Sequence, residues 1–296
     1  AAIMSLRDIS RRETRYVPTG HLPKGDKLLE DKKNSAKDFI SVDVRSQSCC
    51  PRYTARVIND IKVGPSPKWL KDRLEACGLN SINNIVDIAN YVMLETGQPL
   101  HAFDLGKLNG AKITVRLARE GEKITALDGQ KFDLNSGILV IADSQGPVAI
   151  AGIKGGKEPE IGEKTKTIVL ESANFNPTVI RKGSRELGLR TDASLRFEHG
   201  VDPNLTESAI NRAASLIQKM AFGKAAKDSV DFYPQKIYSK KIKLDLSYVE
   251  NLLGIRIPVT EIKDILRRLG FKSEIRNPKS ETNTKYKIQN TKYFEV

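Results

Sequence analysis

The feature that most limits what this chain can fold into is the change of hydrophobic period between Ser41 and about Pro234. Ile85, Val86, Ala89, Val92 and Met93 recur at three- and four-residue spacing, the mark of one buried helix face. Ile113, Val115 and Leu117 alternate instead, as a half-buried strand does. Helical and extended segments are mixed without a strict strand-helix alternation, which predicts an α+β domain and argues against a doubly wound parallel sheet. The apolar runs 138–142 and 147–153 are strand-sized, far short of the roughly 20 residues that a membrane helix needs.

Local signals place the elements. Ser66-Pro67 predicts the capped start of a helix with Trp69, Leu70, Leu74 and Cys77 on its apolar side and Gly78 as its stop. The next helix ends before Gly97 and delivers residues 97–104 as a loop. Asp128-Gly129 is a hairpin signal, and 167–171 reads as a strand ending on the charge of Glu171. Asn176-Pro177 opens a helix to Leu187. Asp202-Pro203 opens a longer one that buries Ala209, Ile210, Ala213, Leu216, Ile217 and Met220. The first 40 residues read as a short helix over 3–12 and a loose linker. Beyond Pro234 a lysine-rich hinge leads to a second, small α+β unit. There Ile242, Leu244 and Leu246 alternate, Ser247 and Thr260 cap two short helices, and Gly254 and Gly270 end them. With a polar tail over 277–296, and at about sixty residues a marginal size, this unit looks unfinished. The expected organisation is 1–40, 41–235 and 236–296.

Charge and thiols narrow the chemistry. With 49 Lys+Arg against 36 Asp+Glu the net charge is +13, which favours a polyanionic partner such as nucleic acid. Cys49, Cys50 and Cys77 are odd in number and two are adjacent, so neither a disulfide framework nor a Cys-x-x-Cys knuckle is expected. His21, His101 and His199 lie far apart, and no metal site is expected. The N-terminus lacks the pattern of a signal peptide, which points to the cytoplasm and to no membrane association.

Residues 85–104, IVDIANYVMLETGQPLHAFD, closely resemble a signature of the β subunit of bacterial-type phenylalanyl-tRNA synthetases. Joining it in the family's order are Cys50-Pro51-Arg52-Tyr53, Gly64-Pro65-Ser66-Pro67, residues 151–156 (AGIKGG), Leu170-Glu171-Ser172-Ala173 and residues 190–198 (RTDASLRFE). The resemblance covers about 41–273 and implies a mixed B3/B4-type domain. Leu252-Leu253-Gly254-Ile255 and residues 267–271 (RRLGF) then resemble the start of the following, here incomplete, B5 domain. Residues before 41 do not match the family's B1 domain, and no Pro-Ser-Trp-like continuation follows Phe271. The resemblance implies a piece of a ligase whose full form is an α2β2 heterotetramer that uses ATP and Mg2+ and binds phenylalanine tRNA. No cofactor is expected in this piece itself. Without the catalytic-like module and the α subunit of the full ligase, these residues are not expected to aminoacylate alone.

The activity implied is editing, the hydrolysis of tyrosine wrongly esterified to phenylalanine tRNA. A pocket for phenylalanine rejects tyrosine poorly, since an added hydroxyl is worth only about 10²-fold in an apolar site. A second pocket that hydrogen-bonds the phenol asks the opposite question. By resemblance Glu171 accepts the phenol O–H and the Gly152 N–H meets its oxygen. Asn90, His101 and Ala193 line the amino-acid end. Two positions depart from the family, Ala89 where Thr is common and Lys154 where Met is common. No nucleophile is evident, because Ser172, Ser194, Cys49 and Cys50 have no His/Asp relay. Attack by a positioned water, oriented with help from the tRNA 3′ end, is therefore favoured, with His101 either its general base or a holder of the substrate backbone. Arg181, Arg185, Arg190 and Arg196 are candidates for phosphate contacts. Read without the family, the residues leave other roles open. Glu171 suits an ion pair with Arg190 or Arg196, His101 a turn cap, Gly152, Gly155 and Gly156 bulges, and each arginine a solvated helix face. A non-catalytic tRNA-binding or assembly scaffold is the alternative function.

Overall fold

The computed structural model describes residues 28–238, 240–276 and 287–292. The helix expected over 3–12 lies outside them. The chain forms two compact units, the first running to Gln235 and the second beginning at Lys236.

The first unit is α+β. Its larger sheet runs in the order Glu30–Ser35, Lys224–Lys227, Arg52–Asn59, Ile168–Asn174 and Leu100–Asp104, with Val230–Phe232 also paired to Arg52–Asn59. A five-stranded sheet takes Lys154–Gly155, Pro147–Ile150, Leu139–Ala142, Lys112–Leu117 and Ser41–Val44. The hairpin Glu122–Thr125/Lys131–Leu134 turns at Gly129, whose φ of 82° needs a residue without Cβ.

The two central strands of the larger sheet are buried on both faces, and the strand period of two sorts their side chains into two cores. Tyr53, Val57, Phe103, Val169 and Ala173 pack with Ile113, Val115, Val140 and Ile150 of the smaller sheet. Ile58, Ile168 and Leu170 face the helices Lys68–Ala76, Asn84–Thr96 and Leu205–Ala221 through Leu70, Leu74, Ile85, Ile88, Ile210 and Ile217. Burial of large aliphatic side chains at roughly 1.5 to 3 kcal/mol each is the main force holding these layers.

Several local expectations change in the folded chain. Residues 100–104 form a strand rather than the end of a loop, since they pair antiparallel with Ile168–Asn174. Glu171 is therefore mid-strand, not terminal. Residues 30–35, EDKKNS, carry no apolar period, yet they pair parallel with Lys224–Lys227 as an edge strand, and the Glu30 carboxylate adds an ion pair with Arg56 at 2.6 Å. Ser66 is not the cap of its helix: Pro67 occupies that place, and the Ser66 hydroxyl donates to buried Asp87 at 2.6 Å. The helix Asp192–His199 is short and weakly patterned. Its start is fixed by the Thr191/Ser194 capping box.

The second unit pairs Lys240–Asp245, Lys287–Lys292 and Lys272–Arg276 antiparallel, in that order. The polar tail thus supplies the middle strand, which its composition does not signal. Asp245, not Ser247, caps Leu246–Leu253, and Pro258, not Thr260, precedes Val259–Arg268. The positive φ of Gly254 and Gly270 ends both helices as expected.

Candidate functional site

Glu171 and His101 are direct cross-strand partners on the face of the larger sheet that meets the smaller one. Both line a small cleft of about 90 Å³, open to solvent. Its other walls come from the turn after Pro147–Ile150, the strand Lys154–Gly155, and Ala193 and Phe197 of the helix Asp192–His199. The fold thus brings together His101, Gly152, Glu171 and Ala193. Asn90 is not among the cleft-lining residues; it sits half-buried on Asn84–Thr96.

Glu171 is 6% exposed in an apolar surrounding, and burial pushes its carboxyl up to about 7. The Tyr53 hydroxyl, itself fully buried, donates to Oε2 of Glu171 at 2.7 Å and partly opposes that rise. Tyr53 in turn titrates well above the ordinary phenol range, because of its burial and then the charge of Glu171. The ion pair with Arg190 or Arg196 is overturned: Arg196 is held by Asp192 at 3.0 Å, one turn back on its own helix, and Arg190 is exposed. Tyr53 belongs to a motif singled out in the sequence, but its role needed the tertiary fold. The available signal was that a buried tyrosine hydroxyl needs a partner.

His101 is half-buried, and desolvation lowers its imidazole to about 4, so it is neutral at pH 7. Its ring stands edge-on to Phe103, with centroids 4.6 Å apart, and lies over Gly155. A Cβ on Gly155 would come within 2.7 Å of the ring, so this glycine is needed for close approach. His101 lies in a strand, which removes the turn-cap reading. Gly152 has φ +67°, and a Cβ there would sit 2.9 Å from Phe175 and 3.0 Å from Phe197. Among the described residues no acceptor takes its N–H.

The two departures have separate consequences. Lys154 lines the cleft and is paired with Asp128 of the hairpin turn. Ala89 is buried on the helix Asn84–Thr96 and is not among the residues that line the cleft. Of the arginines, Arg181 and Arg185 are exposed on Pro177–Glu186, whereas Arg196 is engaged by Asp192. Ser194 is spent on the capping box, and Ser172 is fully buried, so neither presents a nucleophile. Among the described residues no cluster of His, Cys, Asp and Glu is arranged to hold a metal, and no helix is long and apolar enough to cross a membrane.

The B3/4 domain family matches residues 49–222. Proteins named phenylalanine–tRNA ligase beta subunit are 46% identical over 82% of this chain in Protochlamydia amoebophila and 48% over 80% in Carboxydothermus hydrogenoformans. The Clostridium acetobutylicum protein of that name is 42% identical over 278 residues, a longer stretch than 41–273, so the likeness runs past the limits that the motifs suggested. The chain spans only 30%, 30% and 35% of these relatives. A solved N-terminal fragment of the phenylalanyl-tRNA synthetase beta subunit from Pyrococcus horikoshii covers 89% of this chain and 70% of its own. At 13% identity and a TM-score of 0.41 it carries no argument. With its match spanning more than half of the residues and with relatives above 40% identity, the chain belongs to the B3/4 domain family, alongside the bacterial phenylalanine–tRNA ligase beta subunits.

Proposed function

We propose that the cleft hydrolyses the ester of tyrosine mischarged onto phenylalanine tRNA. The observation that carries this reading is a buried carboxyl, Glu171, lining the same cleft as Gly152, whose N–H has no acceptor among the described residues. An acceptor and a donor so placed fit a phenol, which needs both, and serve a phenyl ring badly, because it leaves them unpaired. His101 is neutral but weakly basic, and a general base works best with a pKa near the working pH. That favours His101 as a holder of the substrate's amino-acid end, with water as the nucleophile.

Around this centre we propose a B3/B4 editing domain over 41–235 and part of a B5 domain over 236–296. The whole protein would be the β subunit of a cytoplasmic phenylalanine–tRNA ligase that joins an α subunit as α2β2, uses ATP and Mg2+, and binds phenylalanine tRNA. Exposed Arg181, Arg185 and Arg190 suit phosphate contacts, in keeping with the net charge of +13. The test is release of tyrosine from mischarged tRNA by the purified chain. Glu171→Ala should slow it by about one to two powers of ten, since a charge-assisted hydrogen bond is lost, with little effect on the phenylalanyl ester. Binding of tRNA without hydrolysis would instead support a scaffold.

A further inference from the structure

A carboxylate has two oxygens, and in this cleft they are not equivalent. The hydroxyl of Tyr53, 0% exposed and two strands away from His101, reaches Oε2 of Glu171 at 2.7 Å. Among the described residues no donor reaches Oε1. Tyr53 is held hard in place. It lies on the central strand Arg52–Asn59, in register with Ala173 on the strand that carries Glu171. Next to it Arg52 is locked by Asp231 at 2.9 Å and by the carbonyl of Pro203 at 2.9 Å.

We infer that Tyr53 is a positioning residue for the cleft: its fixed hydroxyl occupies Oε2 of Glu171 and leaves Oε1 as the single acceptor offered to a ligand's hydroxyl. The inference rests on the editing reading for its substrate, a tyrosyl ester, while the Tyr53–Glu171 link stands on geometry alone. A carboxylate free to rotate would present either oxygen and would have to be ordered by the ligand. One pinned at Oε2 is already in the conformation that accepts the phenol. The bond also favours the charged form, which is the form that accepts. The titratable groups around Glu171 are Tyr53 and Cys50 toward the sheet, His101 on the paired strand and Lys154 across the cleft. Of these, Tyr53 is the one whose side chain hydrogen-bonds it.

The test combines Tyr53→Phe, Glu171→Gln and the double variant in the full chain. Hydrolysis of tyrosyl- and phenylalanyl-tRNA is measured across pH 5.5 to 9. Tyr53→Phe should move the pH midpoint of tyrosine preference upward and lower that preference about tenfold at pH 7, the loss expected for a weakened charge-assisted bond. Glu171→Gln gives a second, opposite signature. With Tyr53 holding the amide oxygen, the NH2 group faces the cleft, donor in place of acceptor, and tyrosine preference drops. Adding Tyr53→Phe frees the amide to flip and restores part of that preference. A Tyr53 that served only as packing would give neither the shifted midpoint nor the rescue. An unchanged midpoint together with additive losses overturns the inference. If Tyr53→Phe does not fold, Glu171→Gln alone decides, because a tyrosine preference kept within twofold overturns it. If wild type hydrolyses neither ester, the editing reading fails instead. The link is then judged by the titration of 13C-labelled Glu171, whose midpoint must rise in Tyr53→Phe if the inference holds.

Discussion

Glu171 keeps its proton to about pH 7 in the folded chain, against about 4.5 when exposed, and this gap makes stability depend on pH. Between those values the native state holds more protons than the unfolded one, so stability is fully present below pH 4.5 and falls as pH rises through 7. Two and a half units at about 1.36 kcal/mol each amount to roughly 3 kcal/mol of destabilisation above pH 8. Glu171→Gln removes the ionisation and, neutral like the protonated carboxyl, keeps an acceptor for Tyr53. The variant should therefore be about as stable as wild type at pH 4.5 and roughly 3 kcal/mol more stable at pH 8.5. Urea denaturation followed by the fluorescence of Trp69 isolates the right unit, because it is the single tryptophan and packs edge-on against Tyr91 of the first unit. A difference between wild type and variant that stays constant from pH 4.5 to 8.5 would refute the reasoning.

His101 has the opposite sign: its lowered imidazole stabilises above the ordinary pKa of 6.5, and that contribution is lost as pH falls toward 4. His101→Asn should accordingly flatten the acid side of the same urea series by roughly 2 to 3 kcal/mol between pH 6.5 and 4. Gly152→Ala should destabilise the first unit by at least 1 to 2 kcal/mol, about the strain of a non-glycine residue at φ +67°, before any clash with Phe175 and Phe197 is added. A melting temperature unchanged in that variant would show that the turn relaxes freely. Affinity for tRNA should fall steeply between 50 and about 200 mM salt, because phosphate contacts release counterions. Flat filter-binding curves across that range would remove the +13 charge as the driver.

Much of this protein is legible in the sequence because the physics involved is local. The helix around Ile85–Met93 is set by spacing and by Asn83 and Gly97 at its two ends, and the hairpin by Asp128-Gly129. The cleft residues Glu171, Gly152, His101 and Ala193 were identified through a resemblance spread over more than a hundred positions of order and spacing. What the chain's local pattern does not contain is partnership across distance. EDKKNS over 30–35 becomes a strand only because Lys224–Lys227 presents an open edge, and 100–104 becomes one only because Ile168–Asn174 lies beside it. Asn90, close to His101 in sequence, sits half-buried on its helix and is not among the residues that line the cleft, and Arg196 is drawn off by Asp192. The decisive case is Glu171. Its place in an apolar strand, Ile168–Asn174, is written in the sequence. Whether its charge is answered by an arginine or by a phenol was settled by the register of Arg52–Asn59, which brings Tyr53 to it across 118 residues of chain. Hydrogen-bond geometry at 2.7 Å depends on strand register and on which face each side chain takes, and both are fixed only when the sheet closes.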